Sequence, residues 1–142
     1  MVNELNILAL AGPSRSGKTV TLQLVHDWIL SNGGESTRLE ILGTPTQKDF
    51  SDIVIWQGER IGFFTTSDYS RALMNAFREY AKYECKVLIC ACNTRLIRPQ
   101  CALTARDATR LEKMVVPEPA WDMANTADAQ RVIDNLQELI RE

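Results

Sequence analysis

Eight residues near the N-terminus carry the clearest chemical pattern in the chain. Two glycines stand five positions apart, and a lysine and a threonine follow the second one, in the run Gly12, Pro13, Ser14, Arg15, Ser16, Gly17, Lys18 and Thr19. Glycines at this spacing let the backbone curl so that successive amides point inward, where they can hold phosphate oxygens. In such a loop Lys18 would bridge β- and γ-phosphate oxygens and Thr19 would offer its hydroxyl to Mg²⁺. The pattern therefore predicts a phosphate-binding loop at residues 12–19.

The segments on either side of this loop fit that interpretation. Residues 5–11 form a continuous apolar run, which is typical of a strand covered on both faces in a parallel sheet. Residues 18–30 predict a helix, because apolar side chains recur there at helical spacing, at Leu22, Val25, Trp28 and Ile29. A helix that begins at the loop turns the positive end of its dipole toward bound phosphate. The competing interpretation is a glycine-rich turn that binds nothing.

The run GPSRSGKT matches G-x-x-x-x-G-K-S/T at every fixed position, and with its strand-to-helix context it resembles the Walker A motif of the P-loop NTPase superfamily. The resemblance covers the whole chain through the order of strands and helices, while the specific motif covers eight residues. It implies that the ligand is ATP with Mg²⁺. GTP is disfavoured, because the segment Asn93-Thr94-Arg95-Leu96 lacks the lysine and the aspartate of the guanine-reading signature.

The resemblance also implies a carboxylate at the end of a neighbouring strand that orients water on Mg²⁺. Asp68 is predicted to be this group, since it follows an apolar segment by a few polar residues. Lys18 and Asp68 are then the predicted catalytic residues, and Thr19 and Asp68 the predicted metal ligands. The competing interpretation is that Asp68 caps the helix that follows it. Two weaker alternatives for the carboxylate are Asp52 and Glu40.

The rest of the chain alternates between strand and helix patterns. Strands are predicted at residues 38–42, 86–92 and 114–116, a β-hairpin at residues 53–56 and 61–65, and helices at residues 70–83 and 127–141. This order implies right-handed crossovers. We therefore expect one α/β domain over residues 1–142, a P-loop NTPase-like, three-layer fold with an open, mostly parallel sheet between helices and a hairpin insertion near residues 53–65.

A locally basic segment follows the strand at residues 86–92. Residues 98–112 predict a helix or a lid. Residues 95–113 contain two acidic side chains and five positive ones, Arg95, Arg98, Arg106, Arg110 and Lys113. Arg106 and Arg110 would share a helix face and could clamp a transferred phosphoryl group. The competing interpretation is an ordinary solvated helix face. Further along, Trp121 or the turn at residues 117–120 is a candidate wall for the nucleotide base.

Composition and charge limit the class of protein. With 45% hydrophobic and 24% charged residues the chain resembles an ordinary globular domain, and it has no apolar run of the roughly 20 residues that a membrane helix needs. A net charge of −2 argues against general binding to nucleic acid. Four cysteines without a secretion signal are expected to be reduced thiols of a cytoplasmic protein. The single histidine, His26, is predicted on a helix surface, so a Ser-His-Asp mechanism is set aside.

Three functions stay open at this stage. The first is a small Mg²⁺-dependent NTPase with slow or partner-stimulated hydrolysis, in which residues near Thr65 and Asp68 respond to the γ-phosphate. The alternative is a small phosphotransferase or nucleotide kinase that uses lid arginines. A loop that binds nucleotide without turnover is the third.

Overall fold

The computed structural model describes residues 5–13, 15–42, 48–66, 70–95 and 108–141. These residues form a mixed α/β arrangement of seven strands and three α-helices. In chain order the elements are β1 (Asn6–Gly12), α1 (Lys18–Ser31), β2 (Glu35–Ser36), β3 (Glu40–Leu42), β4 (Asp49–Trp56), β5 (Glu59–Phe64), α2 (Ser70–Lys82), β6 (Val87–Asn93), β7 (Thr109–Glu112), a short 3₁₀ turn (Glu118–Ala120) and α3 (Trp121–Arg141). None of these helices combines the length and the apolarity needed to span a membrane.

The sheet is mixed, so the expectation of a mostly parallel sheet is wrong. The strand order is β2-β4-β5-β6-β1-β7, with β3 paired to β4 beside β2. Strands β5, β6, β1 and β7 run parallel to one another, whereas β4 is antiparallel to β2, β3 and β5. Parallel pairing needs a crossover of a dozen or more residues, and the connections within residues 35–64 are too short for one.

The predicted hairpin is present and longer than the sequence indicated. Strands β4 and β5 pair from Trp56 with Glu59 back to Ser51 with Phe64. The two residues of its turn, Gln57 and Gly58, have φ values of 53° and 78°. Positive φ at both positions is the geometry that matches the twist of a tight hairpin.

The core lies on both sides of the sheet. Alternate residues of β1 point to opposite faces, so that Leu8 and Leu10 pack with α1 and α3, whereas Ile7 and Ala9 pack with α2. All seven residues of β6 are buried. The carboxyl ends of β5, β6, β1 and β7 therefore meet at one edge of a rigid, well-covered sheet.

The C-terminal part corrects three predictions. The last strand is Thr109–Glu112, so residues 114–116 are not a strand and the helix predicted over residues 98–112 is wrong at its end; residues 98–107 lie outside the described part. Met114 and Val115 are exposed, whereas Leu111 packs against the core. Helix α3 also begins six residues before the predicted start, at Trp121. Its first turns bury Ala124, Asn125 and Asp128. Because two of these residues are polar, the sequence shows no apolar stripe there.

Candidate functional site

The loop at residues 12–19 lies between β1 and α1, as the sequence predicts. β1 ends at Gly12 and α1 begins at Lys18; Ser14 lies outside the described residues. Arg15 and Gly17 both have left-handed backbones, with φ values of 59° and 93°. This conformation costs a non-glycine residue about 1 to 2 kcal/mol, so a loop that keeps Arg15 in it stores strain of a kind that concentrates at functional sites.

Lys18 folds its side chain across this loop. Only 5% of the residue is exposed, and its Nζ donates to the carbonyl oxygens of Gly12 at 3.0 Å and Pro13 at 2.6 Å. The Ser16 hydroxyl donates to the same Pro13 oxygen at 2.7 Å. The ammonium is thus held on the inner side of the curled backbone, where an anion would be attracted to it.

Thr19 contacts a carboxylate that the sequence analysis did not select. Its Oγ1 donates to Oδ1 of Asp49 at 2.7 Å, and Thr65 Oγ1 lies 3.1 Å from that same oxygen. Asp49 is the first residue of β4, and Thr65 directly follows β5. Because β4 is antiparallel to β5, its beginning lies at the edge where the parallel strands end. Two hydroxyls and one carboxylate therefore meet beside the lysine of the loop.

The two weaker alternatives for this carboxylate, Asp52 and Glu40, lie elsewhere. Asp68 is outside the described residues, and Glu40 is exposed on β3. Asp52 is buried, with its Oδ2 2.7 Å from Nε2 of His26 and accepting from the Ser36 hydroxyl at 2.5 Å. Its Oδ1 accepts the backbone amides of residues 38 and 53 at 2.9 and 2.8 Å. Asp52 is fully engaged in holding β4, β2 and α1 together and does not face the loop.

His26 is also placed differently from the prediction, because it is buried rather than on a helix surface. Its ring lies edge-on to Phe50 and Phe63, with centroids 5.0 and 5.1 Å away. Since Ser36 donates to Asp52 and not to the histidine, the three polar groups do not form a nucleophile with its base. The cluster stabilises the sheet.

Helix α3 presses against the loop through Asn125. A Cβ on Gly17 would lie 2.4 Å from Oδ1 of Asn125, so this position requires glycine for space as well as for its backbone angle. The Thr21 hydroxyl donates to the Gly17 carbonyl at 2.7 Å and lies 3.3 Å from the same Asn125 oxygen. The N-terminal turns of α3 thus fix the end of the loop from which α1 begins.

A buried ion pair fixes the other end of the loop. A Cβ on Gly12 would lie 2.9 Å from Cβ of Lys113, whose Nζ is 3.0 Å from Oδ2 of Asp128. Asp128 also accepts from the Met114 amide at 2.9 Å and from Arg131 at 2.7 Å. Burial alone would raise the pKa of Asp128, but these three donors outweigh it and lower that pKa. The carboxylate therefore stays ionised and ties β7 and the loop to α3.

The end of β6 forms the third side of the site. Asn93, 2% exposed, pairs in register with Gly12, and the Thr94 amide donates to the Gly12 carbonyl at 3.2 Å. Arg110 lies on β7 and pairs with Glu112 at 2.8 Å, so it does not share a helix face with Arg106, which is outside the described residues together with Arg98. The predicted arginine lid is thus not formed by Arg110.

The described cysteines are poor candidates for chemistry. Cys85, Cys90 and Cys92 are buried free thiols, and Cys101 lies outside the described residues. Burial raises the pKa of all three, that of Cys85 to about 11, so the reactive thiolate is scarce at neutral pH. Within the described part of the chain, no group of three or more His, Cys, Asp or Glu side chains could hold a metal ion.

The indole of Trp121 lies at the start of α3. It is 50% exposed, and its Nε1 donates to the Val116 carbonyl at 3.1 Å. Trp121 precedes Asn125 by one helical turn, so both project from the same side of α3.

Comparison of the chain with protein-family models, with curated proteins and with solved structures found no match.

Proposed function

We propose that this protein binds ATP with Mg²⁺ at residues 12–19 and hydrolyses it slowly. The observation that carries the proposal is that the Lys18 ammonium lies against the carbonyl oxygens of the loop while the next residue, Thr19, bonds to the Asp49 carboxylate. A curled backbone, a buried ammonium and a hydroxyl hydrogen-bonded to a carboxylate are the groups that a Mg²⁺-bound triphosphate needs. Glycine at both Gly12 and Gly17 lets the supporting side chains approach the loop closely.

Each residue has a distinct role in this proposal. Lys18 exchanges its two carbonyl contacts for β- and γ-phosphate oxygens. Thr19 and Asp49 hold Mg²⁺, and this small ligand set fits an ion that keeps several waters and takes few carboxylates. The metal would neutralise charge on the phosphates. Asp49 thereby takes the role that the sequence analysis assigned to Asp68.

Slow hydrolysis follows from what surrounds the site. His26 is sealed against Asp52 on the α1 side of the sheet and cannot reach a water near the loop. Asp49 already accepts hydrogen bonds from the hydroxyls of Thr19 and Thr65. The described residues thus offer no separate general base, and a protein partner that orders the attacking water would accelerate turnover.

The layering of helices and the choice of base are part of the proposal. Helices α1 and α3 on one face and α2 on the other, around the parallel strands β6, β1 and β7, support a three-layer P-loop NTPase-like arrangement. The half-exposed indole of Trp121 provides a flat surface for a base on the Asn125 side of the loop. A cytoplasmic location is consistent with the buried free thiols.

A second candidate is a small phosphotransferase. The observation that favours it is a cavity of about 530 Å³ between α2 and the antiparallel strands, whose lining includes Leu42 and Phe64, the neighbours of Asp49 and Thr65. A hydrolase needs room for one water, whereas a cavity of this size fits a small molecule.

The test is a calorimetric titration with a non-hydrolysable ATP analogue and its GTP counterpart, each with and without Mg²⁺. We expect Mg²⁺-dependent binding that is tighter for the ATP analogue. Lys18→Ala should weaken it by roughly 10- to 100-fold, the equivalent of losing charge-assisted hydrogen bonds of about 1.5 to 3 kcal/mol. Lys82→Ala, which removes an exposed lysine of α2, is the matched control and should bind like the wild type.

Asp49→Asn separates the metal role from phosphate binding. It should abolish the gain in affinity from Mg²⁺ while keeping the Mg²⁺-free affinity, because the loop and Lys18 remain intact. Asp134→Asn, at an exposed position of α3, is its control. Unchanged binding in Lys18→Ala would remove the basis of the proposal, and an unchanged Mg²⁺ effect in Asp49→Asn would exclude the metal role of Asp49.

A further inference from the structure

A cavity lies between α2 and β4, and two alanines of α2 form part of its wall. Its floor is formed by Ser51 and Ile53 of β4, and one wall by Ala72 and Ala76 of α2. These two alanines are four residues apart and therefore share one side of the helix. Ala72 is half-buried, whereas Ala76 and its neighbour Leu73 are buried in the core. A small molecule of moderate size can occupy the resulting volume of about 530 Å³.

One end of this cavity lies next to residues of the candidate phosphate site. Its lining there includes Leu42 and Phe64. Leu42 is the direct partner of Asp49 in the β3–β4 pairing, and Phe64 immediately precedes Thr65. Directly paired antiparallel residues have Cα atoms about 4.5 to 5.5 Å apart and side chains on the same face of the sheet, so this end of the cavity lies beside Asp49 on the Leu42 side.

The other end offers a flat surface. The guanidinium carbon of Arg38 lies 4.2 Å above the centre of the Tyr83 ring, and both residues line the cavity. A guanidinium held flat on an aromatic ring presents its other side to a third planar group, and nucleobases stack on arginine and aromatic planes in this way. Asn75 on α2 adds an amide that can both donate to and accept from the edge of a base.

The charge of the lining argues against an anionic ligand. Carboxylates of Glu40 and Glu79 line the cavity, and Glu79 is 3.8 Å from Lys82 in an exposed pair. Among the described lining residues the cation is Arg38, at the end far from Asp49. A phosphorylated ligand would have to place its charge near Glu40 without a matching cation, which is unfavourable.

We propose that this cavity binds an uncharged nucleoside as the phosphoryl acceptor, with the base on Arg38 and a sugar hydroxyl toward Asp49. This rests on the proposed ATP binding at residues 12–19. In the reaction the hydroxyl oxygen forms a bond to the γ-phosphorus, and the bond from that phosphorus to the β–γ bridging oxygen breaks. ADP leaves, and the hydroxyl proton is released to solvent. The products are a nucleoside monophosphate and ADP.

The experiment uses the full chain with adenosine, guanosine, cytidine and thymidine as probes. Binding of each nucleoside is measured first without ATP, by saturation-transfer NMR, next to the corresponding monophosphate. Then ADP release is measured with Mg²⁺-ATP, with and without each nucleoside, and the phosphorylated product is identified by mass spectrometry. We expect at least one nucleoside to bind and to be phosphorylated, and its monophosphate to bind more weakly.

Two variants test the location. Ala72→Trp fills the cavity, and Arg38→Ala removes the stacking surface at an exposed position. Both should lower nucleoside binding and bring ADP release back to the rate without nucleoside. The matched controls are Arg78→Trp and Arg78→Ala, at an exposed position of α2 outside the cavity, which should behave like the wild type.

The outcomes separate this inference from the proposed function. If ATP analogues bind but none of the nucleosides binds or is phosphorylated, the acceptor site is excluded while the proposed function stands. If nucleosides bind and phosphorylation persists in both cavity variants, the location is wrong. If ATP analogues fail to bind, the proposed function and the transfer step both fail, whatever the nucleosides do.

Discussion

The two halves of the sheet differ in how firmly they are packed. In the parallel half, β1 is buried after Asn6 and β6 along its whole length, with helices on both faces. In the antiparallel half, both residues of β2 are exposed and Ile41 on β3 is 69% exposed. The loop at residues 12–19 follows β1 of the firmly packed half, whereas Asp49 lies on β4, where it pairs with Leu42 of the lightly covered β3. The backbone proposed to hold phosphate therefore belongs to the firmly packed half, and the carboxylate proposed to hold Mg²⁺ lies beside strands with less cover, which can adjust more easily.

The largest effect we predict falls on the parallel half. Asp128→Ala leaves the ammonium of Lys113 buried without its carboxylate, and breaking such a pair costs about 3 to 5 kcal/mol. Chemical denaturation should show this loss, and Asp134→Ala on the exposed side of α3 should show almost none. A loss no larger than that of the control would mean that the ion pair does not hold this half together.

A buried pair in the antiparallel half should matter less to the site. His26→Leu takes one partner from Asp52, which keeps the Ser36 hydroxyl and two backbone amides. We expect a loss of about 2 kcal/mol in the free energy of unfolding, with nucleotide affinity unchanged. A strong loss of nucleotide affinity in a folded His26→Leu protein would contradict the assignment of a purely structural role to Asp52 and a ligand-binding role to Asp49.

Two glycines with similar backbone angles sharpen the comparison further. Gly17→Ala meets both a φ of 93° and the Asn125 side chain at 2.4 Å, whereas Gly58→Ala meets a φ of 78° with nothing within 4 Å. Gly58→Ala should cost about 1 kcal/mol, from the backbone alone. Gly17→Ala should cost more and also weaken nucleotide binding. If thermal unfolding shows equal losses of stability in the two variants, the Asn125 side chain moves aside to make room for the added methyl group and does not fix the shape of the loop.

The smallest predicted effect is a change of stability with acid. The folded-state pKa of Asp128 is below its ordinary value of 3.8, so its ion pair stabilises the fold fully above that pH. As pH falls below 3.8 toward the lowered pKa, the carboxylate takes up a proton and the stabilisation disappears. Asp128→Asn should be less stable at neutral pH and should lose less stability in acid than the wild type. Parallel stability curves for the two proteins would contradict this assignment.

The sequence predicted elements best where burial is symmetrical. Apart from Asn6 and Lys86, residues 5–11 and 86–92 are apolar because helices cover both of their faces, and both segments contain strands. Strand β7 was not predicted, because its one large apolar residue, half-buried Leu111, stands between charged Arg110 and Glu112 and gives no apolar run. The first turns of α3 were not predicted because polar Asn125 and Asp128 occupy their inner side.

The site was predicted only in part for a topological reason. The glycine-lysine-threonine pattern depends on local spacing, so residues 12–19 can be recognised without knowing the fold. Asp49 precedes an apolar strand instead of following one, and only the antiparallel direction of β4 brings it to the edge where β1 ends. The sequence feature that pointed to this place was Thr65, directly after β5. In the structure its hydroxyl lies 3.1 Å from the Asp49 carboxylate.

The position of β1 between β6 and β7 has a consequence for biosynthesis. β1 and its loop are synthesised before the strands that flank them, β6 and β7, and before the Lys113 and Asp128 side chains that support the loop. Contacts between such distant parts of a chain form slowly. During translation the apolar residues of β1 therefore stay exposed until β6 and β7 have been made. We expect nascent chains that stop before β7 to be targets for chaperones and to lack a formed loop.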